Sequence, residues 1–207
     1  MATAATQTPI GARREEDQRV ILHDVTWSQY ETILAIRGDR AGVRLTYLNG
    51  ELELMSPSLD HEAIKTTMGR LLEAYAEERG LALNGYGSWT VRSAPKARGV
   101  EPDECYVLGT HQPKAPDLAI EVVWTSGGLD KLEVYRGLGV REVWTWREGR
   151  IEVHALRSEQ YQPIARSELL PDLDLEVMTS FLQNPDQTAA VRAFRAWLRG
   201  ESPAPRE

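Results

Sequence analysis

Hydrophobic and polar positions along this chain switch repeatedly between a helical and a strand period, and the switches outline a mixed α/β fold. Val20, Ile21 and Leu22 read as a short edge strand. Thr26 and Gln29 then make a capping-box pattern, and Trp27, Tyr30, Ile33 and Leu34 recur at helical spacing up to an expected end near Arg37 and Gly38. Arg44–Leu48 and residues 51–55 alternate in character about Asn49-Gly50, a strong two-residue hairpin signal. Glu51 and Glu53 share one face of the second of these strands and are expected to face solvent, a supporting role at a site being the weaker alternative. After Ser56-Pro57-Ser58 a long helix is expected over 61–79. Ile64, Met68, Leu71, Leu72 and Tyr75 form its apolar stripe, and Gly80 stops it.

The period then shortens. Residues 81–92, punctuated by Gly85 and Gly87, predict a bent strand. Residues 101–108 predict another, with Asp103, Cys105 and Val107 on one face. Residues 116–124 are short, continuously apolar and β-branched at Ile120, Val122 and Val123, the pattern of a fully buried strand. Leu129, Leu132, Tyr135 and Leu138 make a short amphipathic helix that Gly139 ends. Strands follow over 142–146, 151–156 and 161–165, then a loop over 170–173 and a last helix over Gln187–Leu198. That helix carries Arg192, Arg195 and Arg199 and is expected to dock on the domain rather than bind a partner. The expected organisation is a flexible tail over 1–19, one domain over 20–182, and a C-terminal helix and tail over 183–207.

Composition narrows the class without changing this outline. The 207 residues, 42% hydrophobic and 27% charged, suit one globular domain. A formal net charge of −7 argues against a broad basic nucleic-acid-binding surface, yet leaves room for an enzyme whose metal neutralises an acidic site. The single cysteine, Cys105, cannot form an intramolecular disulfide, which points to a reducing compartment. No apolar run is long enough to span a membrane and residues 1–11 lack a signal-peptide core, so a soluble cytoplasmic protein is expected.

The chemistry begins with Glu121, a carboxylate in the middle of the buried strand. Its ionised form costs several kcal/mol unless a cation meets it, and the cation is either an arginine or lysine or a metal ion. Asp103 lies eighteen residues earlier, at the start of the preceding strand. If the two strands are neighbours, the carboxylates approach one another, and without a cation one of them stays protonated. Mg²⁺ or Mn²⁺ would let both ionise, with the Val122 carbonyl as a third ligand, and would suit phosphodiester cleavage. His61 and Glu62 open the long helix, where the helix dipole alone explains an acid.

The order of these residues closely resembles the PD-(D/E)xK nuclease superfamily and, within it, the Uma-two family of restriction-endonuclease-like proteins. The matching motifs are Asn49-Gly50-Glu51-Leu52-Glu53-Leu54-Met55-Ser56-Pro57, His61-Glu62, Gly99-Val100-Glu101-Pro102-Asp103, Pro116-Asp117-Leu118-Ala119-Ile120-Glu121-Val122, Lys131-Leu132-Glu133-Val134-Tyr135 and Gly139-Val140-Arg141-Glu142-Val143-Trp144. The resemblance implies an α/β (α+β) fold with a restriction-endonuclease-like core, a mixed central sheet flanked by helices, and an added N-terminal helix and hairpin. It implies Asp103, rather than Asp117 or Asp172, as metal ligand with Glu121, on Mg²⁺ or Mn²⁺. The superfamily's lysine position, two residues after the glutamate, holds Val123, and the resemblance points instead to Lys131. It further implies Glu62 in support, His61 assisting with water or phosphate, and DNA as substrate. Trp124-Thr125-Ser126-Gly127-Gly128 departs from the family's usual Ser-Pro-Ser-Thr, and Gly127 stands where an acid is common.

The implied activity is metal-dependent hydrolysis of DNA, with a homodimer plausible because two sites cut two strands. Two rivals stand beside it. Val123 and the negative charge suit a degenerate nuclease fold that binds protein or nucleic acid. A phosphoesterase acting on RNA or nucleotides would use the same metal chemistry. A serine or cysteine hydrolase lacks a recognisable nucleophile setting.

Overall fold

The computed structural model describes residues 16–40, 42–110, 112–124 and 127–201. The expected tails over 1–15 and 202–207, and the Thr125-Ser126 variation, lie outside the described residues. In chain order the elements are β1 (Gln18–Leu22), α1 (Trp27–Arg37), β2 (Arg44–Leu48), β3 (Glu51–Ser56), α2 (Leu59–Arg79) and β4 (Leu83–Gly85). Then come β5 (Val91–Ser93), β6 (Arg98–Val100), β7 (Glu104–Leu108), β8 (Leu118–Val122) and α3 (Lys131–Leu138). The chain closes with β9 (Glu142–Arg147), β10 (Arg150–Arg157), β11 (Gln160–Ile164), α4 (Leu175–Leu182) and α5 (Gln187–Leu198).

These strands divide between two sheets. The larger runs β11-β10-β9-β8-β7-β4, and the smaller runs β1-β3-β2-β6-β5. The hairpin read from Asn49-Gly50 is thus the centre of a five-stranded sheet rather than an isolated addition. Asn49 and Gly50 both take positive φ, 50° and 99°, as a tight turn between twisted strands requires. The segment expected as one bent strand over 81–92 is two: β4 pairs with β7 in the larger sheet, and β5 pairs with β6 in the smaller. The chain changes sheets between them.

Local signals set the helix ends. Thr26 and Gln29 complete the capping box of α1. The Ser58 side chain caps α2 by accepting from the His61 N–H, so the helix starts before His61. Gly80 ends it in the left-handed region at φ 64°. Gly99 has a steric reason: a Cβ there would lie 2.3 Å from the Tyr30 hydroxyl, so only glycine lets α1 rest directly on β6. Helix α4 was not expected. Asp174 caps it, and Met178, Phe181 and Leu182 are its buried side; eight residues after a proline-containing loop carry too short a pattern to stand out.

β8 is the hub. All five of its residues are buried, β7 runs antiparallel on one side and β9 parallel on the other. Leu118, Ile120 and Val122 point into the main core with Trp144, Met68 and Leu72, where Met178 of α4 and Phe194 of α5 also pack. Helix α5 is therefore integral to that core. Ala119 points to the other side, where Val143 meets Val134 and Tyr135 of α3 and Val91 and Val100 of the smaller sheet. Strand alternation puts Glu121 on this second side, between the two sheets. Among the described residues no helix is long and apolar enough to cross a membrane.

Candidate functional site

Asp103 and Glu121 meet because β7 and β8 pair with Glu104 opposite Ile120. One further step of that register sets Asp103 against Glu121, and Asp103 Oδ2 accepts a hydrogen bond from the Val122 N–H at 2.7 Å. Both residues are almost fully buried, at 1% and 3% exposure. Their cations come from three other elements. Arg44, at the start of β2, donates from Nη1 to Asp103 Oδ1 at 2.5 Å and from Nη2 to Glu62 Oε1 at 2.6 Å. His61, in the first turn of α2, lies with Nε2 3.0 Å from Asp103 Oδ2 and Nδ1 2.9 Å from Asp17 Oδ2. Lys131, the first residue of α3, donates to Glu121 Oε2 at 2.5 Å, and the Tyr135 hydroxyl one turn later donates to Glu121 Oε1.

The charges sort themselves within this cluster. Burial alone would raise the Asp103 pKa, but the His61 hydrogen bond and the Lys131 and Arg44 charges hold the carboxyl well below the usual range. Glu121 goes the other way: burial pushes it up, Lys131 offsets part of this, and the neighbouring Asp103 charge adds to the rise. Two adjacent buried carboxylates divide in this manner because one ionises at the other's expense. Burial would lower His61, yet its bonds to Asp103 and Asp17 raise it to about 9, so the ring is an imidazolium at neutral pH. Lys131 is likewise raised despite burial, by Glu121 and then Asp103. Glu62 stays below the ordinary value: burial raises it, and Lys65 and Arg44 more than compensate.

The residues expected from sequence therefore do converge: Asp103, Glu121 and His61 are buried together with Lys131 beside them, and Glu62, its side chain 37% exposed, closes the outer edge of the cluster. Three partners were not foreseen. Arg44 was only the first residue of a strand, Tyr135 only part of an apolar stripe, and Asp17 lay within the expected tail. Asp17 is instead buried, and also accepts from the Ser58 N–H at 2.8 Å. Glu53 departs from expectation too. Glu51 is half-exposed beside His23, but Glu53 is buried at 1% because the segment leading into α3 crosses over it. Its Oε2 accepts from the Leu129 N–H at 2.8 Å, and Arg19 lies 3.3 Å from its Oε1. Cys105, next along β7, is a neutral packing group whose thiol burial pushes up to about 12.

The donor set does not fit a divalent cation as it is folded. All four carboxylate oxygens of Asp103 and Glu121 accept from protein donors: Arg44, His61 with the Val122 amide, Lys131 and Tyr135. A hard cation needs several oxygens converging on one point, and here Arg44 and Lys131 already stand against those oxygens with their own positive charge. Among the described residues no group of three or more His, Cys, Asp or Glu is arranged to hold a metal ion.

With this geometry in view, comparison with known proteins is informative. A model of the Uma2 family, described as "Putative restriction endonuclease", matches residues 27–200. Among solved structures, the chain is similar to one described as a putative nuclease belonging to DUF820 from Anabaena variabilis ATCC 29413. Identity is 12%, the TM-score is 0.47, and the match covers 84% of this chain and 99% of that one. No curated protein matches.

Proposed function

The chain belongs to the Uma2 family, and on that premise we propose that it is a nuclease-fold protein whose Asp103–Glu121–Lys131 centre is neutralised by its own cations and which acts as a protein- or nucleic-acid-binding module. Membership brings the fold, a mixed sheet flanked by helices of the restriction-endonuclease kind; activity has to be argued from the site. One observation carries the reading: every carboxylate oxygen that would ligate a metal already has a protein donor, and three of those donors, Arg44, His61 and Lys131, are cationic. Lys131 spends its ammonium on Glu121, and Val123 leaves the superfamily's usual lysine position without a charge.

A second reading is metal-dependent hydrolysis of DNA, with Asp103, Glu121 and the Val122 carbonyl on Mg²⁺ or Mn²⁺ and Lys131 assisting. What favours it is the convergence of Asp103, Glu121 and Lys131 from three separate elements on one point. The two readings part in one experiment. Purified protein is mixed with supercoiled plasmid, single-stranded DNA and RNA, in Mg²⁺, Mn²⁺ or EDTA, and followed for both mobility shift and cleavage. Absence of metal-dependent cleavage is the expected result, and a mobility shift unaffected by EDTA identifies nucleic acid as the partner. Metal-dependent plasmid nicking that Asp103→Asn and Glu121→Gln abolish would overturn the proposal in favour of the nuclease. Cleavage confined to RNA would identify a phosphoesterase of narrower substrate.

A further inference from the structure

We propose that Arg44 is the resident cation of this centre, holding Asp103, one of the two carboxylates the family resemblance assigns to a divalent metal, against Glu62. The inference rests on the reading above and deepens it by assigning the neutralising role to one residue. Arg44 reaches in from the smaller sheet, whereas Asp103 immediately precedes β7 of the larger sheet and Glu62 belongs to α2. Its guanidinium contacts Asp103 at 2.5 Å and Glu62 at 2.6 Å through two different nitrogens, so it bridges the carboxylates as a metal would. The planar fork suits this; an ammonium, with its charge at one point, cannot span two carboxylates in the same way.

The carboxylates around Arg44 already have cationic partners. Asp17, Glu62, Asp103 and Glu121 each pair with one or more of Arg44, His61, Lys65 and Lys131, and Glu104 lies 3.7 Å from Lys65. A divalent ion added to this set would have to displace Arg44 or Lys131 from the carboxylates they hold, inside a seam where Arg44 is only 10% exposed. Arg44 also differs from a metal in permanence. A guanidinium does not deprotonate at physiological pH and is tied to the chain, so this positive charge is present whatever the metal supply.

The test is Mn²⁺ binding by the full chain, followed through the electron paramagnetic resonance signal of free Mn²⁺. Wild type, Arg44→Gln, Arg44→Met and the double variant Arg44→Gln/Asp103→Asn are compared. Wild type should leave the free-ion signal unchanged, while Arg44→Gln and Arg44→Met should bind Mn²⁺ at least about tenfold more tightly. The double variant should lose that gain. Tight Mn²⁺ binding by wild type, or folded Arg44 variants that bind no better than wild type, would overturn the proposal. If the Arg44 variants unfold, recovery of their folded fluorescence on adding Mn²⁺ supports it, and failure to recover overturns it. The two readings fail separately: wild type that takes neither Mn²⁺ nor nucleic acid removes nucleic acid as the bound partner and leaves Arg44 in its role.

Discussion

Raising the pH from 6 to 10 should destabilise the fold through His61. The ring is fully buried between Asp17 and Asp103, with Arg44 Nη1 3.3 Å from its Nε2. As an imidazolium it can donate to both carboxylates; as a neutral ring it has one N–H, and one carboxylate loses its donor. Burial works against the charged ring, but the bonds to Asp103 and Asp17 prevail and move its midpoint from 6.5 to about 9. A shift of that size corresponds to roughly 3 kcal/mol favouring the folded state. Because the folded value is raised, the contribution is complete below about pH 6.5, declines as the pH rises through about 9, and is absent above that. Urea unfolding read by tryptophan fluorescence at pH 6, 7.5, 9 and 10 measures it. Wild type should lose most of this increment over the series, and His61→Gln should show a much flatter profile. Glu121, whose pKa is also raised, remains in both proteins and cancels from the comparison. Equal stability at pH 6 and 10 in wild type, or an imidazole resonance titrating near 6.5, would refute the reasoning.

Three further outcomes follow from named contacts. Lys131→Met leaves Glu121 buried without its cation and should cost about 3–5 kcal/mol, most of it recovered by Glu121→Gln in the same chain; equal losses in the single and double variants would count against a coupled pair. Gly99→Ala puts a Cβ 2.3 Å from the Tyr30 hydroxyl and should lower stability by roughly 1–3 kcal/mol as α1 is pushed off β6; an unchanged Tm would mean that contact is looser than described. Glu53→Leu removes the acceptor for the Leu129 amide, so hydrogen exchange at Leu129 should accelerate at a cost of about 1–3 kcal/mol; retained protection would show that the segment is held by something else.

Much of the architecture was legible because it is local. The capping box at Thr26, the Asn49-Gly50 turn and the apolar run of β8 are short-range patterns with one physical meaning each. The need of Glu121 for a cation was legible too, since a carboxylate in an apolar strand must be answered. Which cation was not. Lys131 emerged from the family's residue order, and periodicity alone would have left it on the surface. Arg44 and Asp17 lie 59 and 44 residues from the groups they meet, and no period links such positions. Glu53 failed for the same reason: alternation assigns it a face, while the segment that covers that face arrives from 76 residues downstream. Strand period likewise does not say which sheet a strand joins, which is why β4 and β5 read as one.

The placement of the ion pairs across the junction of two sheets has a kinetic consequence. Hairpins such as β2–β3 can close early, because their ends are separated by a two-residue turn. Arg44 can reach Asp103, and Glu53 can reach Leu129, only after both sheets exist and have come together. Closing loops of that length precedes any reward from the contact, so the charged seam is a late event in folding. Until it closes, Asp103 and Glu121 keep their water and behave as ordinary acids. Their altered proton affinities are thus a signature of the last docking step, and a stopped-flow experiment monitoring proton uptake or release would time that step separately from the collapse of the core.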